Sequence, residues 1–172
     1  MDFVKLSQFL SNLPDYRLKQ IKQNYFSGRY LNFAEMSDLP KNLRDVLDNS
    51  TSLYSVTENK IITSGLTQKA VLVLGDGLKI ETVLMDYDDW KTACISTQVG
   101  CSLGCTFCAT GKMGFKRNLT VDEIVDQILF WKHKASVSRI VFMGMGEPFL
   151  NWDNLVTALK IIKEDLIIGA RK

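Results

Sequence analysis

No apolar run reaches the roughly 18 residues that a membrane span requires. The first ten residues, Met1 to Leu10, also lack a basic region followed by a long apolar stretch. Both absences point to a cytoplasmic protein. Histidine is nearly missing, with His133 alone, and there is no second C-x2-C pair, which leaves little material for a structural zinc site. The net charge of +2 is too small to mark a nucleic-acid binder by itself. Apolar residues are not scarce: at 46% hydrophobic and 10% aromatic, the chain can bury a core and is not a disordered sequence. Its 172 residues allow one domain of ordinary size or two small ones.

What the sequence does contain is Cys101-Ser-Leu-Gly-Cys105-Thr-Phe-Cys108, three cysteines within eight residues. A disulfide explains them poorly, because their number is odd and the loops would be very short. Four cysteines in a chain of cytoplasmic character favour metal or redox chemistry. Iron–sulfur clusters are normally held by four thiolates, so three ligands leave one iron free for a partner that is not protein. Gly100 and Gly104 would relieve the backbone where the loop wraps a bulky group, and Phe107 would shield it. Spacing alone leaves zinc open, with Cys94 or His133 as fourth ligand. The ordinary reading of Cys94, in a strand, is a buried structural thiol. His133 reads as a surface residue near a helix C-terminus.

Around this run the chain reads as α/β. Residues 1–50 form a helical module: Val4, Leu6, Phe9, Leu10 and Leu13 recur at helical intervals to Pro14, and Leu18, Ile21 and Tyr25 continue the pattern until Gly28. A third helix spans about Leu39 to Leu47, with Pro40 in its first turn. Tyr16, Tyr25, Phe26, Tyr30 and Phe33 read as core. Residues 51–90 form a β-hairpin segment, with strands Ala70–Leu74 and Leu78–Met85 around Asp76-Gly77. A strand over 92–97 leads into the cysteine loop. Thr120 with Glu123 is a capping box, opening a helix to about Lys134 whose apolar stripe is Val121, Ile124, Val125, Ile128 and Leu129. A strand over 139–143 and a helix from Asn154 to about Ile167 follow, the helix with Leu155, Ala158, Leu159 and Ile162 on one face. This alternation implies parallel β/α units with both motif loops at the C-terminal ends of strands. Lys112, Lys116, Arg117, Lys132, Lys134 and Arg139 make a basic patch for RNA phosphates or a solvated helix face.

The cysteine run with its flanks, Thr92-Ala-Cys94-Ile-Ser-Thr-Gln98-Val-Gly-Cys101 and Cys108-Ala-Thr-Gly-Lys112 through Arg117-Asn118-Leu-Thr120, resembles the radical S-adenosylmethionine (SAM) RNA methyltransferases of the RlmN/Cfr family. Gly144-Met-Gly146-Glu147-Pro148-Phe-Leu-Asn151 carries the same resemblance, which runs from about Ser7 to the last residue. It implies a 4Fe–4S cluster on Cys101, Cys105 and Cys108, with SAM contacts from Gly146 and Glu147. It also implies Glu81 as a proton acceptor and Cys94 as a catalytic thiol that resolves a covalent protein–RNA intermediate by forming a disulfide. Residues 91–172 would then be the N-terminal part of a radical SAM TIM-like barrel, and residues 1–50 an accessory domain that grips RNA.

The implied activity is methylation of adenine carbon-2 in 23S rRNA, with tRNA as a second substrate. A related activity at adenine carbon-8 confers antibiotic resistance, and a non-catalytic cluster- or RNA-binding remnant is the reading of another class. In such enzymes one SAM methylates a second cysteine near the C-terminus. Another is reductively cleaved to a radical that takes hydrogen from the S-methyl group, and the carbon radical adds to the adenine. The resemblance implies an electron donor of the flavodoxin or ferredoxin kind and a monomer when full length. Family members continue for roughly as many residues again, and no cysteine follows Cys108 here. The expectation is therefore a truncated enzyme without methyl-transfer activity on its own.

Overall fold

The computed structural model of the chain describes residues 14–166, so the first helix expected from Val4 to Leu13 lies outside the described residues. The chain divides into two compact units, one ending at Ser55 and one beginning at Val56.

In the first unit, helix α1 (Asp15–Ser27) starts behind Pro14 with Asp15 in its first turn and stops at Gly28. An acid at that end is favoured by the unpaired N–H groups of the helix start. Its apolar spacing buries Ile21, Tyr25 and Phe26. Helix α2 (Lys41–Ser50) begins after Pro40 and buries Leu47. Asp48 joins α2 to a 3-10 turn at Phe33–Glu35, its carboxylate accepting the N–H groups of Phe33 at 2.9 Å and Ala34 at 3.0 Å. Tyr25, Phe26 and Phe33 are core, as their spacing implies, and Tyr30 is half-buried, its carbonyl accepting the Tyr54 hydroxyl at 2.8 Å. Tyr16 departs from that expectation: it is 54% exposed, with the Arg17 guanidinium over its ring.

The second unit is a five-stranded sheet with helices against one face. Strands β1 (Val56–Ser64), β2 (Thr67–Leu74), β3 (Lys79–Tyr87) and β4 (Trp90–Cys94) run antiparallel in sequence order. The hairpin expected at Asp76-Gly77 forms between β2 and β3, closed by Gly77 N–H donating to Leu74 O at 2.9 Å. A small antiparallel ladder of β5 (Gln98–Val99) and β6 (Arg117–Asn118) encloses the cysteine loop, which carries the one-turn helix α3 (Ala109–Lys112). Helix α4 (Val121–Lys134) follows, then β7 (Val137–Val141), which pairs parallel with β4. A 3-10 turn at Pro148–Asn151 leads into α5 (Trp152–Ile161), whose last turn widens to a π-turn at Ile162–Leu166.

Alternation along the strands decides the core. Ala70, Leu72 and Leu74 of β2 and Ile80, Thr82 and Leu84 of β3 share the buried face. There α4 lays down Ile124, Val125, Ile128, Leu129 and Trp131. Trp131 Nε1–H donates to Thr82 Oγ1 at 3.0 Å, and Thr82 Oγ1–H in turn donates to Cys94 O at 2.8 Å, so both buried polar groups are satisfied. The capping box of Thr120 and Glu123 is present at the helix start.

Two strand limits and one helix face differ from the sequence pattern. The strand expected over 92–97 ends at Cys94: Ile95 N–H still reaches Val141 O at the end of β7, but the N–H groups of Thr97 and Gln98 both turn to Met145 O in the loop beyond it. The strand expected over 139–143 is Val137–Val141, and Met143 is exposed where the chain turns away. In α5 the buried residues are Leu155, Ala158 and Ile162, while Leu159 faces solvent. Among the described residues no helix is long and apolar enough to cross a membrane.

Candidate functional site

The cysteine loop is pinched at its base. Gln98 pairs with Asn118 and Val99 with Arg117, and Lys116 N–H donates to Val99 O at 2.9 Å. Gly100 permits the closure: its φ is +75°, and a Cβ there would lie 1.7 Å from Gly114 O. No other residue fits that approach. Cys101, Cys105 and Cys108 are free thiols, all half-exposed. Cys108 stands at the N-cap of α3, where the backbone N–H groups of Gly111 and then Thr110 hold its thiol below the usual range. Lowering favours the thiolate, which is the form that binds metal.

Among the described residues, no three His, Cys, Asp or Glu side chains converge as a single ion would need. Three free thiols on one glycine-closed loop are the kind of donor set that holds a 4Fe–4S cluster, whose thiolates bind separate irons. The fourth zinc ligands suggested by spacing are placed elsewhere. Cys94 is buried in β4, and His133 lies in the last turn of α4, about 18 Å along the helix from the end joined to the cysteine loop. Phe107, on the same loop, is 90% exposed.

The second loop, from Gly144 to Glu147, leaves the C-terminal end of β7 and is stitched to residues 96–98. Met145 N–H donates to Ser96 Oγ at 2.8 Å, and Ser96 Oγ–H donates to Glu81 O at 2.5 Å. Met145 O accepts Thr97 N–H at 2.8 Å and Gln98 N–H at 3.2 Å. Glu147 N–H donates to Gln98 Oε1 at 3.0 Å. The Glu147 carboxylate caps the following 3-10 turn by accepting Phe149 N–H at 3.1 Å. Gln127, fully buried on α4, holds residue 96 through both its backbone groups, at 2.9 and 3.0 Å. Asn151 reaches Thr97 O and Leu119 O, each at 2.8 Å.

Glu81 and Cys94 lie on the sheet face opposite α4. Val83 stands across from Cys94, so Glu81, two residues before Val83, shares that face as a diagonal neighbour. Glu81 is ion-paired with Lys69 at 3.0 Å. Burial pushes the Cys94 thiol up, against a smaller opposing effect from the Met143 backbone. An open groove of about 650 Å3 runs along the same face beside β7, lined in part by Met85, Thr92, Val141 and Met143. Arg139 covers the Trp90 ring there at 3.8 Å.

Three of the six cations read as a basic patch are engaged within the fold. Arg117 grips Glu123 with both terminal nitrogens at 2.7 and 2.8 Å and Asp76 through Nε at 2.7 Å. Lys134 pairs with Glu58, and Arg139 is stacked. Partial burial lowers Lys132, while Lys112 and Lys116 stay exposed.

The radical SAM superfamily model matches residues 95–171. The ribosomal RNA large subunit methyltransferase Cfr of Clostridium botulinum strain Hall is 46% identical over 171 residues, covering 96% of this chain and 49% of that protein. The chain belongs to the RlmN/Cfr family of radical SAM proteins. A probable dual-specificity RNA methyltransferase RlmN from Dictyoglomus thermophilum is 42% identical, covering 92% of this chain and 47% of its own length. The crystal structure of a radical SAM methyltransferase from Sphaerobacter thermophilus superposes with a TM-score of 0.85 at 36% identity, over 99% of this chain and 53% of that one. The chain thus spans about half the length of the relatives it matches. Cysteines at 101, 105 and 108 accord with the 4Fe–4S cluster and SAM that the family implies.

Sequence reasoning passed over Ser96 and Gln127 and used Gln98 only as part of a motif. Each is a polar residue inside an apolar or motif stretch and is almost wholly buried. That mismatch was the available signal, since a buried polar group must have partners.

Proposed function

We propose that this chain carries the cluster- and SAM-binding part of a radical SAM RNA methyltransferase acting on adenine, with carbon-2 of 23S rRNA as the target and tRNA as a second substrate. The observation behind it is the joining of two loops, from the C-terminal ends of the parallel strands β4 and β7, through Ser96 and Gln98. In barrel enzymes those ends carry the active site. On this reading β4, α4 and β7 are the first β/α units of a TIM-like barrel, and among the described residues β7 pairs with β4 alone, leaving its outer edge open. The helical unit would grip RNA.

Cys101, Cys105 and Cys108 would hold the cluster. When bound, the reduced cluster supplies the electron that cleaves SAM and so starts methyl transfer. Gly146, through its backbone, and Glu147, through its carboxylate, would accept hydrogen bonds from the SAM ammonium. Glu81 would take a proton from the substrate ring, with Lys69 fixing its side chain on the open face. Cys94 would resolve the covalent intermediate. Its buried thiol must first lose a proton, and Glu81 is a carboxylate on the same face.

The test is anaerobic iron–sulfur reconstitution followed by paramagnetic resonance of the reduced protein. Expected are about four irons per chain, a reduced-cluster signal that shifts on adding SAM, and loss of both on replacing any of the three cysteines by alanine. Zinc uptake without a cluster, or a cluster indifferent to SAM, would refute the proposal. Carbon-8 remains the second reading because relatives named Cfr and RlmN match about equally. Product analysis for 2-methyl- against 8-methyladenosine separates the two.

A further inference from the structure

We propose that Gln98 is a positioning residue that sets the SAM-binding loop against the cluster loop, and so governs SAM affinity without touching SAM. The inference rests on the function proposed above and deepens it.

Gln98 lies three residues before Cys101, in the two-residue strand at the base of the cysteine loop, and is 1% exposed. Both ends of its amide are used in opposite senses. Oε1 accepts Glu147 N–H at 3.0 Å, and Nε2–H donates to Asn118 Oδ1 at 2.8 Å. Asn118 is the cross-strand partner of Gln98, and its own Nδ2–H reaches Leu150 O at 3.2 Å. The turn from Glu147 to Leu150 is therefore held at both ends by one relay that starts at the foot of the cluster loop.

The aliphatic part of the side chain has a second task. Gly146 adopts φ +95°, and a Cβ on it would lie 2.5 Å from Gln98 Cβ and 2.6 Å from Gln98 Cγ. Gly146 and Gln98 are thus matched in shape as well as in hydrogen bonding, and the stem of Gln98 fills the space that glycine leaves. The direction of the Glu147 carboxylate follows from two anchors, its N–H on Gln98 and its Oε1 on Phe149 N–H.

Residue chemistry allows few substitutes. Glutamate would turn an acceptor toward Asn118 Oδ1, asparagine is one methylene too short to span both partners, and methionine matches the volume but can neither donate nor accept well. Closure of the cysteine loop relies on the β5–β6 backbone ladder and Gly100, neither of which uses the Gln98 side chain. Cluster assembly and SAM affinity should therefore separate in Gln98→Met.

The experiment compares the reconstituted wild-type chain with Gln98→Met in two readouts. One is a SAM titration of the reduced-cluster resonance signal, and the other is deuterium uptake of the cluster-free protein. Expected for Gln98→Met are wild-type iron content and an unchanged signal without SAM. The half-saturating SAM concentration should rise at least tenfold, with faster exchange confined to peptides covering 144–150. Half-saturation within twofold of wild type overturns the proposal, as does loss of the cluster together with SAM binding, which would make Gln98 a general structural residue. If the wild-type cluster itself ignores SAM, the proposed function and this inference fall together. A responsive wild type beside an equally responsive variant refutes the inference alone.

Discussion

Arg117→Met offers the sharpest test of how the cysteine loop is secured. The guanidinium joins three segments: β6 at the foot of the loop, the start of α4 through Glu123, and the β2–β3 turn through Asp76. The two arms differ in worth. The Glu123 side chain is only 8% exposed and is held bidentately, so its charge-assisted bonds are worth about 1.5–3 kcal/mol. The Asp76 side chain is 42% exposed, and a solvent-screened pair of that kind contributes about 0–1 kcal/mol. Glu123 keeps one other partner, Thr120 N–H at 2.9 Å, which limits the penalty of stranding it. The expected loss is about 2–3 kcal/mol, or about 5–10 °C in Tm for a chain of this length. Thermal and urea unfolding of the cluster-free protein would measure it, and a double-mutant cycle with Glu123→Gln isolates the pair. Asp76→Ala alone should cost under about 1 kcal/mol. A drop below about 2 °C for Arg117→Met, or additivity in the Glu123 cycle, would refute the clamp and return Arg117 to the pool of solvated cations.

Two further outcomes follow from the loop and the sheet. Gly100→Ala places a methyl 1.7 Å from Gly114 O at a positive φ, so iron bound per chain after reconstitution should fall severalfold while the β2–β3 hairpin remains folded; wild-type iron content would contradict the pinched loop. In the cluster-free protein, iodoacetamide should label Cys108 well before Cys94 at neutral pH, read by mass spectrometry. Cys108 is held below the usual thiol range and so carries a larger thiolate fraction at neutral pH, whereas burial raises Cys94, whose labelling should climb only at pH above the usual thiol range. The reverse order would show that the backbone amides of α3 do not act on Cys108.

The sequence by itself determined the features written in adjacent residues. The three-cysteine run, the Asp76-Gly77 hairpin and the Thr120–Glu123 capping box are local: each needs only neighbours within a few positions to satisfy its geometry. The apolar stripe of α4 was readable for the same reason, because helical spacing alone brings Ile124, Val125 and Ile128 to one side. Tertiary structure decided what depends on distant partners. Arg117 looks like a phosphate-binding cation until Glu123 and Asp76 are brought to it, the latter from 41 residues away. Gln98 meets Glu147 across 49 positions, and Ser96 meets Met145 across the same separation. Those contacts exist only because β7 returns parallel to β4, which sets both loops at one end of the sheet. Strand limits such as Cys94 and Val141 were decided the same way: a strand ends where its backbone groups find a loop instead of a ladder, and no residue type announces that in advance.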